Sequence, residues 1–544
     1  MSSQPLRQRS GITMFLLAAM AVGAMLRWHE LDASLWLDEV FTHEGASRSI
    51  FYAWSHRAYP LYYVLANLAL RFDDSEIALR FPSFLAGILT IPAVYLLASR
   101  AGGRAAGIVA VLLMTFNAYH IRYSQEARFY ALVMLGSILM VWTLHRALTR
   151  GEARDWIGYA VTGFFSLIAQ LSVIPYFLTL AGTAALWLAG AGVTKGRQWP
   201  WRKFACFSLA TVCAISGLAI ATTTDRSFSI DMFSLEAEEM ADENEEGISS
   251  YSFRLTLPQY AGYIGDFAPV EPGPFRYGLV LFAVVGFGAL VARDRCLAAI
   301  VAAQFLIPPI PFFIMHSSHW YASRYFCSVL PLYVLLIALG MVTTAVFVAR
   351  TLRQQPYRQQ RSETGELAKS PVAQRLSRAS LIVLTAFLLA LSPAHALAIA
   401  DHYEKRPISD WKQLANYIAQ RFQLDTSIVL FTPRSADGRA KPAGVFSIPL
   451  HFYLQRSLPK YFPENHHAVL GTLRYVEAGT PQELRKRITD TTTPAAWVVV
   501  RRKRDLPKGC DRVLGEYAVE PWRRFGRLLV RDMQGQPVEI KSPE

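Results

Sequence analysis

The stretch Phe326-Cys-Ser-Val-Leu-Pro-Leu-Tyr-Val-Leu-Leu-Ile-Ala-Leu-Gly-Met-Val-Thr-Thr-Ala-Val-Phe-Val-Ala349 contains no charged residue. As an α-helix it is about 36 Å long, enough to cross a hydrocarbon core of about 30 Å. Similar apolar runs recur along the 544 residues, of which 52% are hydrophobic. The sequence therefore predicts a polytopic α-helical membrane protein.

We predict about eleven transmembrane helices, each mostly apolar and bounded by charge, Pro or Gly. They are residues 11–28, 80–98, 105–119, 129–147, 155–171, 173–191, 203–222, 275–293, 296–315, 326–349 and 379–399. The apolar run 60–72 would reach only about 20 Å as a helix, so it is predicted to lie along the interface as part of the first external loop.

The distribution of Lys and Arg predicts the orientation, because these residues concentrate in cytoplasmic loops. When 60–72 is not counted as a span, the loops on the same side of the membrane as the N-terminus are basic, from Arg7 and Arg9 to the tract 350–378. The opposite side contains residues 231–247, with eight acidic residues and no basic one. We therefore expect a cytoplasmic N-terminus and an external C-terminus. The net charge of +14 fits these loops, and no nucleic acid is expected as a partner.

Two domains are predicted, a transmembrane domain over 1–400 and an extracytoplasmic α/β domain over 401–544. The second begins with an amphipathic helix candidate, Ile408 to Phe422, for which Ser409 or Asp410 is a plausible cap. Strand-like runs follow at 427–431, 496–500 and 525–530. The five cysteines form no CxxC pair and no disulfide framework.

Asp38 and Glu39 form an acidic pair in the first predicted external loop, within Ser34-Leu-Trp-Leu-Asp-Glu-Val-Phe-Thr42. An adjacent acidic pair is by itself more often solvated than catalytic. The apolar and aromatic neighbours predict burial of at least one of these carboxylates. Burial raises a carboxyl pKa and makes the group a better base once it is ionised.

Two further predicted external loops carry polar residues. In Tyr123-Ser-Gln-Glu-Ala-Arg128, a continuing helix would place Glu126 and Tyr130 on one face and direct Arg128 elsewhere, where it can bind an anion. The loop 316–325 offers His319, Arg324 and Tyr325, and a guanidinium presents a planar fork of donors suited to phosphate. A solvated turn and an arginine that reaches lipid headgroups are the alternatives.

A family resemblance rests on five motifs taken in order. They are Trp36-Leu-Asp-Glu39, Tyr59-Pro-Leu-Tyr-Tyr63, Glu76 to Pro82, Tyr123 to Arg128, and Ser323-Arg-Tyr325. Their order and spacing resemble the C-type superfamily of membrane glycosyltransferases, in particular its bacterial branch of protein O-mannosyltransferases and lipid A aminoarabinose transferase. The chain departs from many relatives at Arg57-Ala-Tyr-Pro-Leu61, where they carry Pro-Pro after His or Lys.

The resemblance implies a multi-pass enzyme of the bacterial inner membrane with a periplasmic C-terminal domain. Its donor would be a polyprenyl-phosphate-linked sugar, and its acceptor a glycan, lipid or protein of the cell envelope, with membrane lipids around it. By position, Asp38 matches the general base with Glu39 beside it, and Glu126 a second acidic residue near the donor. Residues expected to contact the donor or its phosphate are Tyr59, Arg80, Tyr123, Gln125, Arg128, His319, Arg324 and Tyr325. For Arg80 a simple ion pair with Glu76, four residues earlier, is the alternative.

The expected reaction is an inverting sugar transfer. Asp38 removes the proton of the acceptor hydroxyl, while Arg324, with Arg128 as a second candidate, stabilises charge on the departing phosphate. Mg²⁺ or Mn²⁺ held by Asp38, Glu39 and Glu126 stays open, since hard oxygen ligands suit these ions. The alternative functions are a lipid or polysaccharide transporter or flippase of the cell envelope, and an inactive scaffold. The sugar, the acceptor and the part played by the acidic 231–247 loop stay open.

Overall fold

The computed structural model describes residues 4–55, 60–194, 201–224, 254–268, 274–314, 322–354, 378–405, 410–421, 427–431, 443–460, 474–476, 481–489, 495–500, 506, 510–517, 521–525 and 528–533. Tyr59, His319 and the acidic stretch 231–247 lie outside these residues. The chain divides into two compact units. The helical unit comprises Met1–Leu31 and Gly45–Glu404, and the C-terminal unit comprises Asp32–Glu44 and Lys405–Glu544.

Sixteen helices run from the N-terminus to the end of the helical unit in the described residues. They are α1 (Gln4–Trp28), α2 (Leu37–Ser47), α3 (Ile50–Ser55), α4 (Pro60–Leu70), α5 (Glu76–Thr115), α6 (Ala118–Ser124), α7 (Tyr130–Arg150), α8 (Ala153–Ala169), α9 (Ile174–Thr194), α10 (Trp201–Thr224), α11 (Leu257–Asp266), α12 (Pro274–Arg293), α13 (Arg295–Leu306), α14 (Ile310–Ile314), α15 (Leu330–Gln354) and α16 (Arg378–Lys405). A 3-10 helix, Ser323–Val329, precedes α15.

The predicted polytopic α-helical membrane fold is confirmed. Within the described residues, seven helices are long and apolar enough to cross a membrane. One of them, the 40-residue α5, contains two predicted spans, which meet at a kink where Gly103 has a φ of +81°. Only glycine adopts this conformation without strain. The predicted short segment 60–72 is the 11-residue apolar helix α4, and α2 and α3 are also short.

Two glycines allow α12 and α15 to approach closely. A Cβ atom on Gly286 would overlap the carbonyl oxygen of Leu336, and one on Gly340 would overlap the carbonyl oxygen of Phe282. Within a bilayer, helices gain little from hydrophobic burial against each other, so close backbone packing at small residues is a main source of association. The residues of α15 are mostly buried, which places this helix inside the helical unit.

The C-terminal unit contains a five-stranded mixed sheet with strand order β2-β1-β3-β5-β4. Its strands are β1 (Ser427–Phe431), β2 (Arg474–Val476), β3 (Ala495–Val500), β4 (Arg523–Phe525) and β5 (Leu528–Asp532). β1 pairs in parallel with β2 and β3, while β5 runs antiparallel to β3 and β4. The predicted strand 525–530 is confirmed over 528–530, which belong to β5, whereas Phe525 is the end of β4. The strand β2 is missed because it is only three residues long.

Four helices accompany the sheet in the described residues: α17 (Trp411–Arg421), α18 (Ala443–Ser457), α19 (Pro481–Ile488) and α20 (Cys510–Tyr517). The predicted cap of α17 is confirmed at Asp410, whose Oδ1 accepts from the Gln413 N–H at 3.1 Å. Val429 and Val498 from the sheet, Leu484 from α19 and Leu514 from α20 are buried together in a hydrophobic core. This packing gives the unit a core of its own.

Candidate functional site

The segment 117–130 connects two spans and carries most of the predicted site of the helical unit. Asn117 caps α6, because its Oδ1 accepts from the His120 N–H at 2.8 Å. The helix ends at Ser124, and α7 begins only at Tyr130. The expectation of a helix continuing from Glu126 to Tyr130 is therefore wrong.

Glu126 pairs with Arg122, one turn earlier in the chain, with Nε and Oε1 3.2 Å apart. The Arg122 side chain is 50% exposed and that of Glu126 only 11%. Burial, followed by the nearby Glu126 carboxylate, raises the pKa of Tyr123. The Tyr123 phenol therefore keeps its proton at neutral pH and can act as a hydrogen-bond donor.

A cluster of tyrosines and arginines forms around Tyr123. Its ring centroid lies 4.6 Å from that of Tyr119 and 5.0 Å from that of Tyr130. Tyr123 is close enough to Glu126 and Arg324 to interact with both electrostatically, and Tyr130 is close enough to Arg128 and Arg324. The structure thus brings Tyr123, Glu126, Arg128 and Arg324 together, and we call these four residues and Tyr130 the tyrosine–arginine cluster.

Arg324 enters this cluster from the 3-10 helix 323–329. Its guanidinium carbon lies 5.6 Å from the ring centroid of Tyr325. Its Nε is buried and has no hydrogen-bond acceptor among the described residues. A buried donor without an acceptor costs roughly 1–3 kcal/mol, and more when it is charged. This N–H is therefore suited to an acceptor supplied by a ligand.

Backbone contacts hold Arg128 in the irregular segment between α6 and α7. Its N–H donates to the Glu126 carbonyl at 2.7 Å, and its own carbonyl accepts from the Ser83 hydroxyl at 2.7 Å. The guanidinium carbon lies 5.3 Å from the ring centroid of Phe129. These contacts fix the position from which the Arg128 side chain extends.

Gln125, a predicted donor contact, bonds to backbone groups of the chain. It is fully buried, and its Nε2 lies within hydrogen-bond distance of the carbonyl oxygens of Arg27, at 3.3 Å, and His29, at 2.6 Å. Its Oε1 lies 3.1 Å from His402 Nε2. Carbonyl groups at the end of a helix need donors, and Gln125 supplies one at the end of α1. In the structure Gln125 thus holds the end of α1.

Arg80 is also placed differently from the expectation. Only 1% of this residue is exposed, and its Nη1 donates to the Leu31 carbonyl at 2.8 Å. In the structure Arg80 therefore packs inside the helical unit.

Arg27, a buried arginine that the sequence pattern did not predict as functional, holds α6 in place. Arg27 donates through Nη1 to the Thr115 carbonyl at 3.3 Å and through Nε to the Ser124 hydroxyl at 3.3 Å. Its Nη2 lies 2.7 Å from Nδ1 of His120. Burial, followed by the nearby Arg27 charge, holds the pKa of His120 well below its usual range, so its ring is neutral and Nδ1 accepts. The position of Arg27 at the end of an apolar run was the available signal.

The acidic pair of the first loop belongs to the C-terminal unit. Glu39 is fully buried, and its Oε2 accepts from the Trp36 N–H at 3.3 Å, which satisfies a free donor at the start of α2. Asp38 is partly exposed. The expectation that at least one carboxylate is buried is confirmed for Glu39, which acts on the helix end, while Asp38 is the accessible one.

The predicted metal ligands do not fit a metal site. Among the described residues, no group of three or more His, Cys, Asp or Glu side chains is placed to hold a metal ion. Oε1 of Glu126 is paired with Arg122, and Oε2 of Glu39 accepts from the Trp36 N–H. Both carboxylates are thus already engaged by donors of the chain.

The chain matches a family model and is similar to a solved structure. The model of the dolichyl-phosphate-mannose-protein mannosyltransferase family matches residues 57–216, which include the segment 117–130. Apo ArnT from Cupriavidus metallidurans has a TM-score of 0.50 and 14% identity, over 99% of this chain and 100% of that chain. The predicted resemblance to the C-type membrane glycosyltransferases is confirmed. At this identity the likeness to ArnT shows a shared fold alone.

Two further solved structures have lower TM-scores. ArnT from the same organism bound to undecaprenyl phosphate has a TM-score of 0.49 and 14% identity, over 98% of this chain and 99% of that chain. The apo oligosaccharyltransferase of Archaeoglobus fulgidus has a TM-score of 0.47 and 12% identity, over 93% of this chain and 72% of that chain. No curated protein sequence matches the chain significantly.

Proposed function

We propose that this chain is an inverting glycosyltransferase that moves a sugar from a polyprenyl-phosphate carrier to a hydroxyl acceptor at the external face of the bacterial inner membrane. The observation that carries the proposal is the buried Arg324 Nε in the tyrosine–arginine cluster, which has no acceptor among the described residues. The description of the matched family names a sugar joined to a lipid phosphate, and such a phosphate is an acceptor of this kind.

The donor phosphate is the leaving group of the reaction. As the bond from the anomeric carbon to the phosphate oxygen breaks, negative charge grows on that oxygen. Arg324 and Arg128 stabilise this charge, because donors placed in advance lose no energy in reorganising during the reaction. The protonated phenol of Tyr123 supplies a third donor to the phosphate or the sugar.

The acceptor hydroxyl forms the new bond to the anomeric carbon and loses its proton. Asp38 is the proposed base that takes up this proton, and Glu39 supports it by holding the first turn of α2. Attack on the side opposite the phosphate inverts the anomeric centre. The transferred sugar is a hexose or a pentose, and its acceptor a glycan, lipid or protein of the cell envelope.

Binding of undecaprenyl phosphate to the purified full-length protein tests the phosphate site. Arg324→Lys keeps the positive charge but removes the Nε–H, so we expect affinity to fall about 10-fold or more, in line with the loss of a charge-assisted hydrogen bond. Thermal shift in detergent at increasing lipid concentration measures it. Arg295→Lys, at an exposed position, is the matched control. Equal affinities of Arg324→Lys and the control would overturn the assignment of Arg324.

A further inference from the structure

The segment that contains Asp38 is bound on both sides by helices of the C-terminal unit. Residues Asp32–Glu44 belong to the same compact unit as Lys405–Glu544, although residues 45–404 separate them in sequence. The contacts are specific hydrogen bonds, and they involve α17 and α18.

Ser34 completes the N-terminal end of α17. Its hydroxyl donates to Asp410 Oδ1 at 3.2 Å and accepts from the Lys412 N–H at 3.2 Å. The same Asp410 oxygen accepts from the Gln413 N–H at 3.1 Å. The first N–H groups of a helix have no acceptor within the helix, and here the Ser34 hydroxyl is the acceptor for one of them. This contact fixes the chain four residues before Asp38.

Tyr453 of α18 fixes the next residue of the segment. The Leu35 N–H donates to the Tyr453 hydroxyl at 2.7 Å, and both residues are buried. A buried backbone N–H that loses its acceptor is costly, so this contact defines where the chain enters α2.

His43 is held by α18 on the other side of Asp38. Arg456 Nη2 lies 2.9 Å from His43 Nε2, and a guanidinium can only donate, so the neutral imidazole accepts. The His43 ring lies edge-on to Phe452 with centroids 5.0 Å apart, and the Arg456 guanidinium carbon lies 4.4 Å from the centroid of the same ring. This contact lies five residues after Asp38.

Asp38 thus lies in the first turn of α2, between attachment points at Leu35 and His43. Within this turn the Thr42 hydroxyl donates to the Asp38 carbonyl at 2.9 Å, and Glu39 accepts from the Trp36 N–H. The backbone of Asp38 is therefore fixed while its side chain stays partly exposed.

We infer that α17 and α18 act as a clamp, formed by Asp410, Tyr453 and Arg456, that positions the Asp38 carboxylate for proton removal. These three are positioning residues, because they act through the segment 34–43. The inference rests on the proposed function, in which Asp38 is the base. A misplacement of about 1 Å in a reacting group can cost about 100-fold in rate, so loss of one attachment has a large effect on transfer.

Three variants of the full-length protein test the clamp. Tyr453→Phe removes only the hydroxyl that accepts from Leu35. Asp410→Ala removes the Oδ1 acceptor, whereas Asp410→Asn keeps an oxygen at this position and should restore function. Gln455→Ala, at an exposed position of α18, is the control. The activity readout is the envelope glycan restored to a deletion strain, relative to the amount of protein in the membrane.

We expect Tyr453→Phe and Asp410→Ala to lower the restored glycan about 10-fold or more and to speed hydrogen exchange in residues 35–43. Asp410→Asn and Gln455→Ala should match the wild type, and all four should bind undecaprenyl phosphate as the wild type does. Suppose that Asp38→Asn is inactive. Wild-type glycan levels in both Tyr453→Phe and Asp410→Ala would then overturn the clamp, whether or not hydrogen exchange in residues 35–43 is faster. If Asp38→Asn is active, the proposed base itself is wrong.

Discussion

Burial separates the predicted site residues into two groups. Arg324 and Asp38 keep part of their surface exposed, whereas Gln125, Arg80 and Glu39 are buried and bind backbone groups of the chain. In the sequence all five are polar residues within the motifs of the family resemblance, and their pattern did not show which of them are buried. The difference arises from contacts with residues far away in the chain, such as that between Gln125 and the end of α1, which no local pattern reveals.

Tyr123→Phe tests the tyrosine–arginine cluster at the scale of one atom. The substitution keeps the ring packing with Tyr119 and Tyr130 and removes the hydroxyl group that can donate to a substrate. We expect sugar transfer to fall about 10-fold, which corresponds to about 1.4 kcal/mol of transition-state stabilisation, with an unchanged melting temperature.

The measurement is the envelope glycan restored to a deletion strain, relative to protein in the membrane. Tyr277→Phe, at a position that is 75% exposed, is the control. Full restoration by Tyr123→Phe would show that the phenol does not take part.

The positions of the helices were predictable because a span of about 20 apolar residues is a strong signal. The ends of the helices were less predictable. The kink at Gly103 divides α5 between the two predicted spans 80–98 and 105–119, but α5 begins at Glu76 and ends at Thr115, and α6 stops before Glu126. In the C-terminal unit, β2 has three residues and β4 three, too few for a visible alternation of apolar and polar side chains.

Gly340→Val tests the contact between α12 and α15. The added side chain meets the backbone carbonyl of Phe282, which cannot move as a flexible side chain can. We expect the free energy of unfolding to fall by about 1–3 kcal/mol or more, as for other overpacked sites. Thermal unfolding of the purified protein in detergent measures the effect.

Gly278→Val is the matched control on α12, because a Cβ atom there meets nothing within 4 Å. Equal melting temperatures of Gly340→Val and Gly278→Val would contradict the close approach of the two helices.

At the scale of the whole molecule, hydropathy predicted a membrane protein, and a change in composition predicted a separate C-terminal α/β region. It did not predict that Asp32–Glu44 joins the C-terminal unit. Residues 34 and 410 show no pattern that links them, because a hydrogen bond between distant residues leaves no trace in hydropathy or charge. The eleven predicted spans, with basic loops on the side of the membrane that holds the N-terminus, predict an external C-terminus.

Fusion of a reporter after Glu544 tests this orientation. Alkaline phosphatase fused there should be active, because the enzyme matures only outside the cytoplasm, and a fusion after Arg350, in the predicted cytoplasmic tract, should be inactive. Activity of the Arg350 fusion alone would reverse the orientation and place the proposed transfer on the opposite face.

Asp38→Asn is the most direct test of the proposed transfer. Mass spectrometry of envelope glycolipids and glycans first identifies the sugar-bearing species missing from a deletion strain. The wild-type chain and Glu44→Gln, which changes an exposed carboxylate on the same helix, should restore this species. Asp38→Asn should restore less than about 1% of it at equal abundance in the membrane, since no base then takes up the acceptor proton. Restoration by Asp38→Asn to the level of Glu44→Gln would contradict the account.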